Sequence, residues 1–156
     1  MAPAFNYNLP RQLNEPFLLI GNTEACYRVP VTDIIYCTAH NSSTQFQLVG
    51  NRKLVAGNSI AYYEDLLANY GFVRIHQSHL VNSACLFAIA KGDESNRAVL
   101  ITGEKLPIAR ARKTEVILQL KQLSIENISA HQQPNNNLTI PKNHHTLPNS
   151  QKASTE

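Results

Sequence analysis

The sequence predicts a mainly β domain with a short central helix and a C-terminal helix, and three observations lead there. Between Phe17 and Leu123, short apolar runs alternate with turn residues at the even spacing of small antiparallel sheets. Only two segments carry apolar residues at intervals of three and four instead. A chain of 156 residues, 43% hydrophobic and 16% charged, supplies core material for one domain with tails and not for two full domains.

Taken in order, Phe17-Leu18-Leu19-Ile20, the pair Gly21-Asn22 and Cys26-Tyr27-Arg28-Val29 read as strand, turn and strand. Ile34-Ile35-Tyr36-Cys37 is the next run, broken by the polar residues His40-Asn41-Ser42-Ser43. Gln45-Phe46-Gln47-Leu48-Val49 alternates polar and apolar, Gly50-Asn51 offers a turn, and Lys53-Leu54-Val55-Ala56 returns. Asn58 or Ser59 caps a helix whose apolar positions Ile60, Tyr63, Leu67 and Tyr70 share a face, and Gly71 stops it. Phe72-Val73-Arg74-Ile75 is strand-like, and Leu80-Val81 fits a short helical turn. Leu86-Phe87-Ala88-Ile89 and Ala98-Val99-Leu100-Ile101 flank a polar loop. Gly103-Glu104 then turns into Lys105-Leu106-Pro107-Ile108. The second helix runs from about Arg110 to Leu123, with Val116, Leu120 and Leu123 on one face and Ile117 widening it. Each helix is expected to lay one face on a sheet.

The ends differ from this body. From Glu126 to Glu156 the chain is rich in Asn, Gln, Ser and Thr with three prolines, too little apolar surface to offset ordering entropy, so the tail is expected to be disordered. The organisation is therefore an N-terminal extension over 1–15, a domain over 16–124 and a polar tail over 125–156. Pro3, Asn6, Asn8 and Pro10 interrupt the start where a secretory signal would need an apolar stretch, and no run reaches the length of a membrane span. A cytoplasmic protein is expected. In that setting the Asn-x-Ser/Thr triplets at Asn41, Asn127 and Asn137 carry no meaning as glycosylation sites. Cys26, Cys37 and Cys85 are odd in number, form no CxxC pair and lie on apolar segments, so buried, reduced thiols are expected.

The catalytic classes fail on spacing. Arg74-Ile75-His76-Gln77-Ser78-His79 brings together two histidines and a hydroxyl, but it follows a strand, holds no Glu and has no third ligand in view. His144-His145 are two adjacent histidines without further ligands. Glu64-Asp65 belongs to the exposed side of the first helix and Asp93-Glu94 to a turn, so no carboxylate pair is set for acid–base work. The six glycines are scattered singly and make no phosphate cradle. Neither an enzyme, nor a metal site, nor a cofactor is expected. A net charge of +3 proves no polyanion partner, since steering depends on where charges sit. Arg110, Arg112 and Lys113 cluster where a strand ends and the last helix begins. Cations are locally unfavourable at a helix N-terminus unless an anion is bound there, which suggests a phosphate-facing edge; a solvated basic turn is the plain alternative.

Three blocks in order, Asp33-Ile34-Ile35-Tyr36, then Phe72-Val73-Arg74-Ile75-His76-Gln77-Ser78-His79-Leu80-Val81-Asn82, then Gly103-Glu104-Lys105-Leu106-Pro107-Ile108-Ala109-Arg110, resemble the LytTR-type DNA-binding domain of bacterial response regulators. The middle block, in the family form F-x-R-x-H-x-S-x-x-V-N, is the specific one. The resemblance implies an elongated arrangement of small antiparallel sheets that reads duplex DNA with loops in neighbouring major grooves, the body lying across the minor groove between them. By position, His40 to Thr44, Arg74 to His79 and Arg110 to Lys113 match the three loops.

Side-chain chemistry divides the work among His40, Asn41, Ser43, Thr44, Arg74, His76, Gln77, Ser78, His79, Arg110, Arg112 and Lys113. Arg110 or Arg112 suits guanine and Gln77 and Asn41 suit adenine, whereas Ser43, Thr44, Ser78, Arg74 and Lys113 suit phosphates. His40 fits either role. His76 and Asn82 also fit a buried, hydrogen-bonded role shaping the second loop, which for Asn82 is the favoured reading. Ala109 stands where the family usually has Ser, Ala111 where a basic residue is common and Ser43 where an aromatic one is frequent. About fifteen residues precede the β region, too few for a receiver domain, so input is expected from a separate signalling protein, oligomerisation or expression level. The expected function is a sequence-specific double-stranded DNA-binding transcription regulator, acting on repeated half-sites as a homodimer formed on DNA. The alternative is the same fold serving as a protein-interaction or antagonist module with weak DNA binding. The loops carry no Phe, Tyr or Trp for stacking, which disfavours single-stranded RNA.

Overall fold

The computed structural model describes residues 14–91 and 96–125. The polar tail, the Asp93-Glu94 turn, His144-His145, Asn127 and Asn137 lie outside the described residues. Described residues up to Val116 belong to one compact unit, and those from Ile117 to Ile125 to a second. The strands are β1 (Phe17–Gly21), β2 (Cys26–Pro30), β3 (Ile34–His40), β4 (Ser43–Leu48), β5 (Arg52–Ala56), β6 (Phe72–His76), β7 (His79–Asn82), β8 (Leu86–Ile89), β9 (Arg97–Leu100) and β10 (Lys105–Pro107). The helices are α1 (Ile60–Leu67) and α2 (Lys113–Gln122), the latter led by a 3₁₀ turn over Arg110–Arg112. All pairings are antiparallel: a hairpin β1-β2, a sheet β10-β9-β8, and a sheet of five ordered β5-β4-β3-β7-β6.

Local chemistry explains the turns. Asn22 closes the first hairpin by accepting the Glu24 and Ala25 N–H groups on its Oδ1 at 2.8 and 2.9 Å. At β4-β5, Gly50 and Asn51 sit at φ 74° and 59°, the left-handed region that favours these two residues. Ser59 is the cap of α1, its Oγ accepting from the Tyr62 N–H at 3.4 Å. Gly71 ends the 3₁₀ turn after α1 at φ 80°.

One core cluster unites Ile20, Val29, Ile34, Cys37, Phe46, Leu48, Ile60, Tyr63, Leu67, Phe72 and Leu80, drawn from the hairpin, the five-stranded sheet and α1. Phe46 and Tyr63 meet edge to face at 4.8 Å between ring centroids. Val73 and Val81 alternate with Phe72 and Leu80, so they point to the other face of the sheet, and they are buried too. Both faces of this half of the sheet are therefore covered. Tyr36 on β3 donates its phenol to Glu104 Oε1 at 2.9 Å, and Thr102 donates to Oε2 of the same carboxylate at 3.0 Å. Burial, with the Glu104 hydrogen bond and charge behind it, pushes the Tyr36 phenol up to about 12.

Several expectations need correction. Leu80-Val81 is strand, because β7 is enclosed between β3 and β6 and pairing outweighs any local turn. The break at His40 to Ser43 shrinks to Asn41-Ser42, since His40 and Ser43 already pair. Tyr70 is exposed: α1 closes at Leu67, and the tighter 3₁₀ turn rotates Tyr70 off the buried stripe. Leu123 is exposed as well, one residue beyond α2, while Val116 is buried. Cys37 and Cys85 are buried free thiols, both pushed up by burial, but Cys26 is exposed on the outward side of β2. No described helix is long and apolar enough to cross a membrane.

The end of the sheet opposite the β3-β4 turn is closed by Asn82. Its Nδ2 donates to the Ile34 carbonyl at 2.9 Å and its Oδ1 accepts the Ala84 N–H at 3.0 Å, so Asn82 is buried and hydrogen-bonded as expected but shapes the Ser83–Cys85 turn and not the second loop. Asn82→Ala orphans both backbone groups, and a loss of about 2–4 kcal/mol is expected from urea unfolding at neutral pH. A change below about 0.5 kcal/mol would show that water replaces the amide at no cost.

Candidate nucleic-acid interface

The register of β3 places two turns together. Thr38 faces His79 across β3-β7, His40 faces Ser43 across β3-β4, and His76 faces His79 across β6-β7. The Ala39 N–H donates to the Ser78 carbonyl at 2.9 Å, stitching the two turns to each other. Their centres are two strand spacings apart, roughly 10 Å. The third segment joins through the Ala109 N–H, which donates to the Ile75 carbonyl at 2.9 Å and so occupies the open edge of β6 beside the second turn. Arg110, Ala111 and Arg112 follow at once in their 3₁₀ turn, closed by Arg112 N–H to Ala109 O at 2.9 Å. Three chain-distant segments thus stand in a row at one sheet end.

In the first turn His40 and Asn41 are exposed, and Asn41 adopts φ 57°. Ser43 is half-buried and its hydroxyl donates to the His40 carbonyl at 2.7 Å. Thr44 is fully buried, with its hydroxyl donated to Asn58 O at 2.9 Å, so it presents nothing to a ligand. Strand alternation turns Thr44 inward as soon as the two-residue turn sets the register.

In the second turn Gln77 is exposed, and Ser78, His76 and His79 are half-buried. His76 Nδ1 accepts the Ser78 N–H at 3.1 Å, which leaves Nε2 to carry the ring proton when the imidazole is neutral. The His76 and His79 rings lie 5.4 Å apart, and His79 Nδ1 is 3.4 Å from the Thr38 hydroxyl. Arg74 is not a surface cation: its Nε donates to the His76 carbonyl at 2.7 Å, another nitrogen donates to the Gln77 carbonyl, and a third meets Glu64. Glu64 is accordingly half-buried and paired, not on the exposed side of α1. Nothing in the sequence marks this partner, ten residues away and on another element. In the third segment Arg110 is exposed, while Arg112 and Lys113 are half-buried, and none of the three is ion-paired among the described residues. No group of three or more His, Cys, Asp or Glu side chains suited to a metal occurs among the described residues.

Comparison with known proteins gives two findings. A family model described as the LytTr DNA-binding domain matches residues 24–121, more than half of the chain. A solved structure from Bacillus cereus, described as the LytTr DNA-binding domain of a methyl-accepting/DNA response regulator, is similar with a TM-score of 0.59 at 22% identity, covering 67% of this chain and 95% of that one. No curated protein gives a significant match. The solved structure agrees with the mainly β arrangement of several antiparallel sheets and two helices.

His79 generates a pH dependence. Burial, and then the neighbouring His76, hold its imidazole below the ordinary value of 6.5. The unfolded chain therefore binds more protons than the folded one below that value, and stability present above pH 6.5 is lost as pH falls toward the folded value. Urea midpoints of the wild type are expected to drop more than those of His79→Gln between pH 8 and pH 5. Parallel curves would mean that His79 titrates alike in both states.

Proposed function

Because the chain belongs to the LytTR family of DNA-binding domains, we propose that it is a sequence-specific transcription regulator whose three aligned turns enter the major groove of double-stranded DNA. The convergence of those turns at one sheet end carries the reading. Each turn presents an exposed side chain suited to base edges: Asn41 in the first, Gln77 in the second and Arg110 in the third. Asn and Gln match the donor–acceptor pair of adenine, and the Arg fork matches guanine O6 and N7. Ser78 and Lys113 contact phosphates and set register, Ser43 joins them by turning its hydroxyl from the His40 carbonyl to a phosphate oxygen, and His40, His76 and His79 complete the surface of the first two turns. Arg112 shares the guanine role with Arg110. Thr44 and Arg74 leave the list of DNA contacts, since their polar groups are already engaged inside the protein.

The protein works without catalysis, metal or cofactor, in the cytoplasm of a bacterium. A single domain of this size makes limited contact, so useful affinity takes two copies on half-sites one helical turn apart, dimerising on the DNA.

Selection of random duplexes on the purified protein is expected to enrich a repeated motif with one-turn spacing. On that motif, Arg110→Ala should cost about 1–3 kcal/mol and relax preference at one position. Lys113→Ala should weaken all duplexes alike and reduce the salt slope by about one. Gel shifts in which neither change alters binding would remove the third segment from the DNA face.

A further inference from the structure

We infer that Glu64 on α1, through its ion pair with Arg74, is a positioning residue that holds the His76–His79 turn in the shape that discriminates DNA sequence. This rests on the DNA-reading function proposed above. Arg74 lies on β6 where the register with β7 shifts between Arg74 and His76, so the backbone ahead of the turn departs from regular pairing. The Arg74 guanidinium bonds to the backbone just past that irregularity. Its Nε and one terminal nitrogen take the carbonyls of His76, the last residue of β6, and Gln77, the first residue of the turn, and its other terminal nitrogen takes Glu64.

A guanidinium has no acceptor and does not lose its charge, and here its side chain is only 11% exposed. Burying that charge against two neutral carbonyls is unfavourable unless an anion accompanies it. Glu64, itself 38% exposed, supplies the anion. With it in place, Arg74 stays under the turn and adds no cation to the DNA face. Without it, the guanidinium gains by swinging outward to the nearest anion, which in a DNA complex is a phosphate. The two carbonyls then lose their donors, Gln77 loses its fixed base, and binding becomes less selective while non-specific attraction holds or grows.

The test compares wild type, Glu64→Gln, Glu64→Ala and Arg74→Lys, with affinities for a selected duplex and a scrambled duplex measured across a salt series. Thermal midpoints serve as a folding check. The expected result is a fall of roughly ten- to a hundredfold in the selected-to-scrambled ratio for Glu64→Ala and Arg74→Lys, and a smaller one for Glu64→Gln, which keeps an acceptor but not the charge. Affinity for the scrambled duplex should hold or rise in both Glu64 variants. Arg74→Lys, which keeps the charge and loses the fork, should leave the salt slope of the scrambled duplex unchanged. Equal ratios in folded variants would overturn the inference, including the case in which Arg74→Lys lowers affinity for both duplexes by the same factor. Should the alanine variant fail to fold, the Gln and Lys variants decide by the same ratio. A wild type that prefers no duplex over any other overturns the proposed function itself, which is a different result from unchanged ratios.

Discussion

The structure depends on the pairing register of β3. This strand is hydrogen-bonded on both sides, to β4 and to β7, and its ends fix two things at once. At one end Ile34 receives Asn82, and at the other Ala39 bonds to Ser78. A slip of one residue would turn Cys37 and its neighbours out of the core and separate the two turns that now stand together. The register is thus both a packing requirement and the device that brings residues some forty positions apart onto one surface. Cys37, fully buried at the centre of the strand, marks how little room there is for slippage.

Attachment of the third segment follows a different logic. β6 is the outer strand of its sheet, and an open edge invites pairing. Ala109 takes the Ile75 carbonyl, so the same bond that covers the edge also sets where Arg110 begins. Because the contact is made by a backbone N–H, it tolerates Ala109 where the family more often has Ser; what is lost there is a hydroxyl and not the anchor. Arg110, Arg112 and Lys113 then form a local concentration of charge in a protein of net charge +3, and the position of that charge matters more than its sum.

Much of the fold is legible locally. The Gly50-Asn51 turn, the Ser59 cap and the strand begun at Gln45-Phe46 each act within a few residues and stand close to where the sequence places them, while Gln47 is buried and Val49 exposed against the alternation. The misses share one cause. Thr44 reads as a surface hydroxyl until the hairpin register turns it inward, and Arg74 reads as a phosphate anchor until Glu64 and the two carbonyls of the next turn close around it. Leu80-Val81 lacks a strong local preference and takes its conformation from strands on both sides. Tyr70 and Cys26 show the reverse error, apolar residues that tertiary packing leaves outside. Residue type told which groups have the chemistry to meet DNA, but only long-range pairing decides which of them are still available.

That distinction bears on how a surface of turns would read sequence under the proposed function. A recognition helix presents its side chains from a scaffold stiffened by its own hydrogen bonds. A turn has no such ladder, and ordering it on contact would consume binding free energy. Here the order is supplied beforehand: two residues, Asn41 and Ser42, separate β3 from β4; Gln77 and Ser78 separate β6 from β7; and a 3₁₀ turn carries Arg110. Two side chains that look like DNA contacts are hydrogen-bonded inside the protein instead, Arg74 to the carbonyls of His76 and Gln77 and Thr44 to the Asn58 carbonyl. Under the proposed DNA-reading function, each polar group withdrawn from the surface would lower the attraction common to all duplexes while fixing the groups that remain, a trade of non-specific affinity for selectivity.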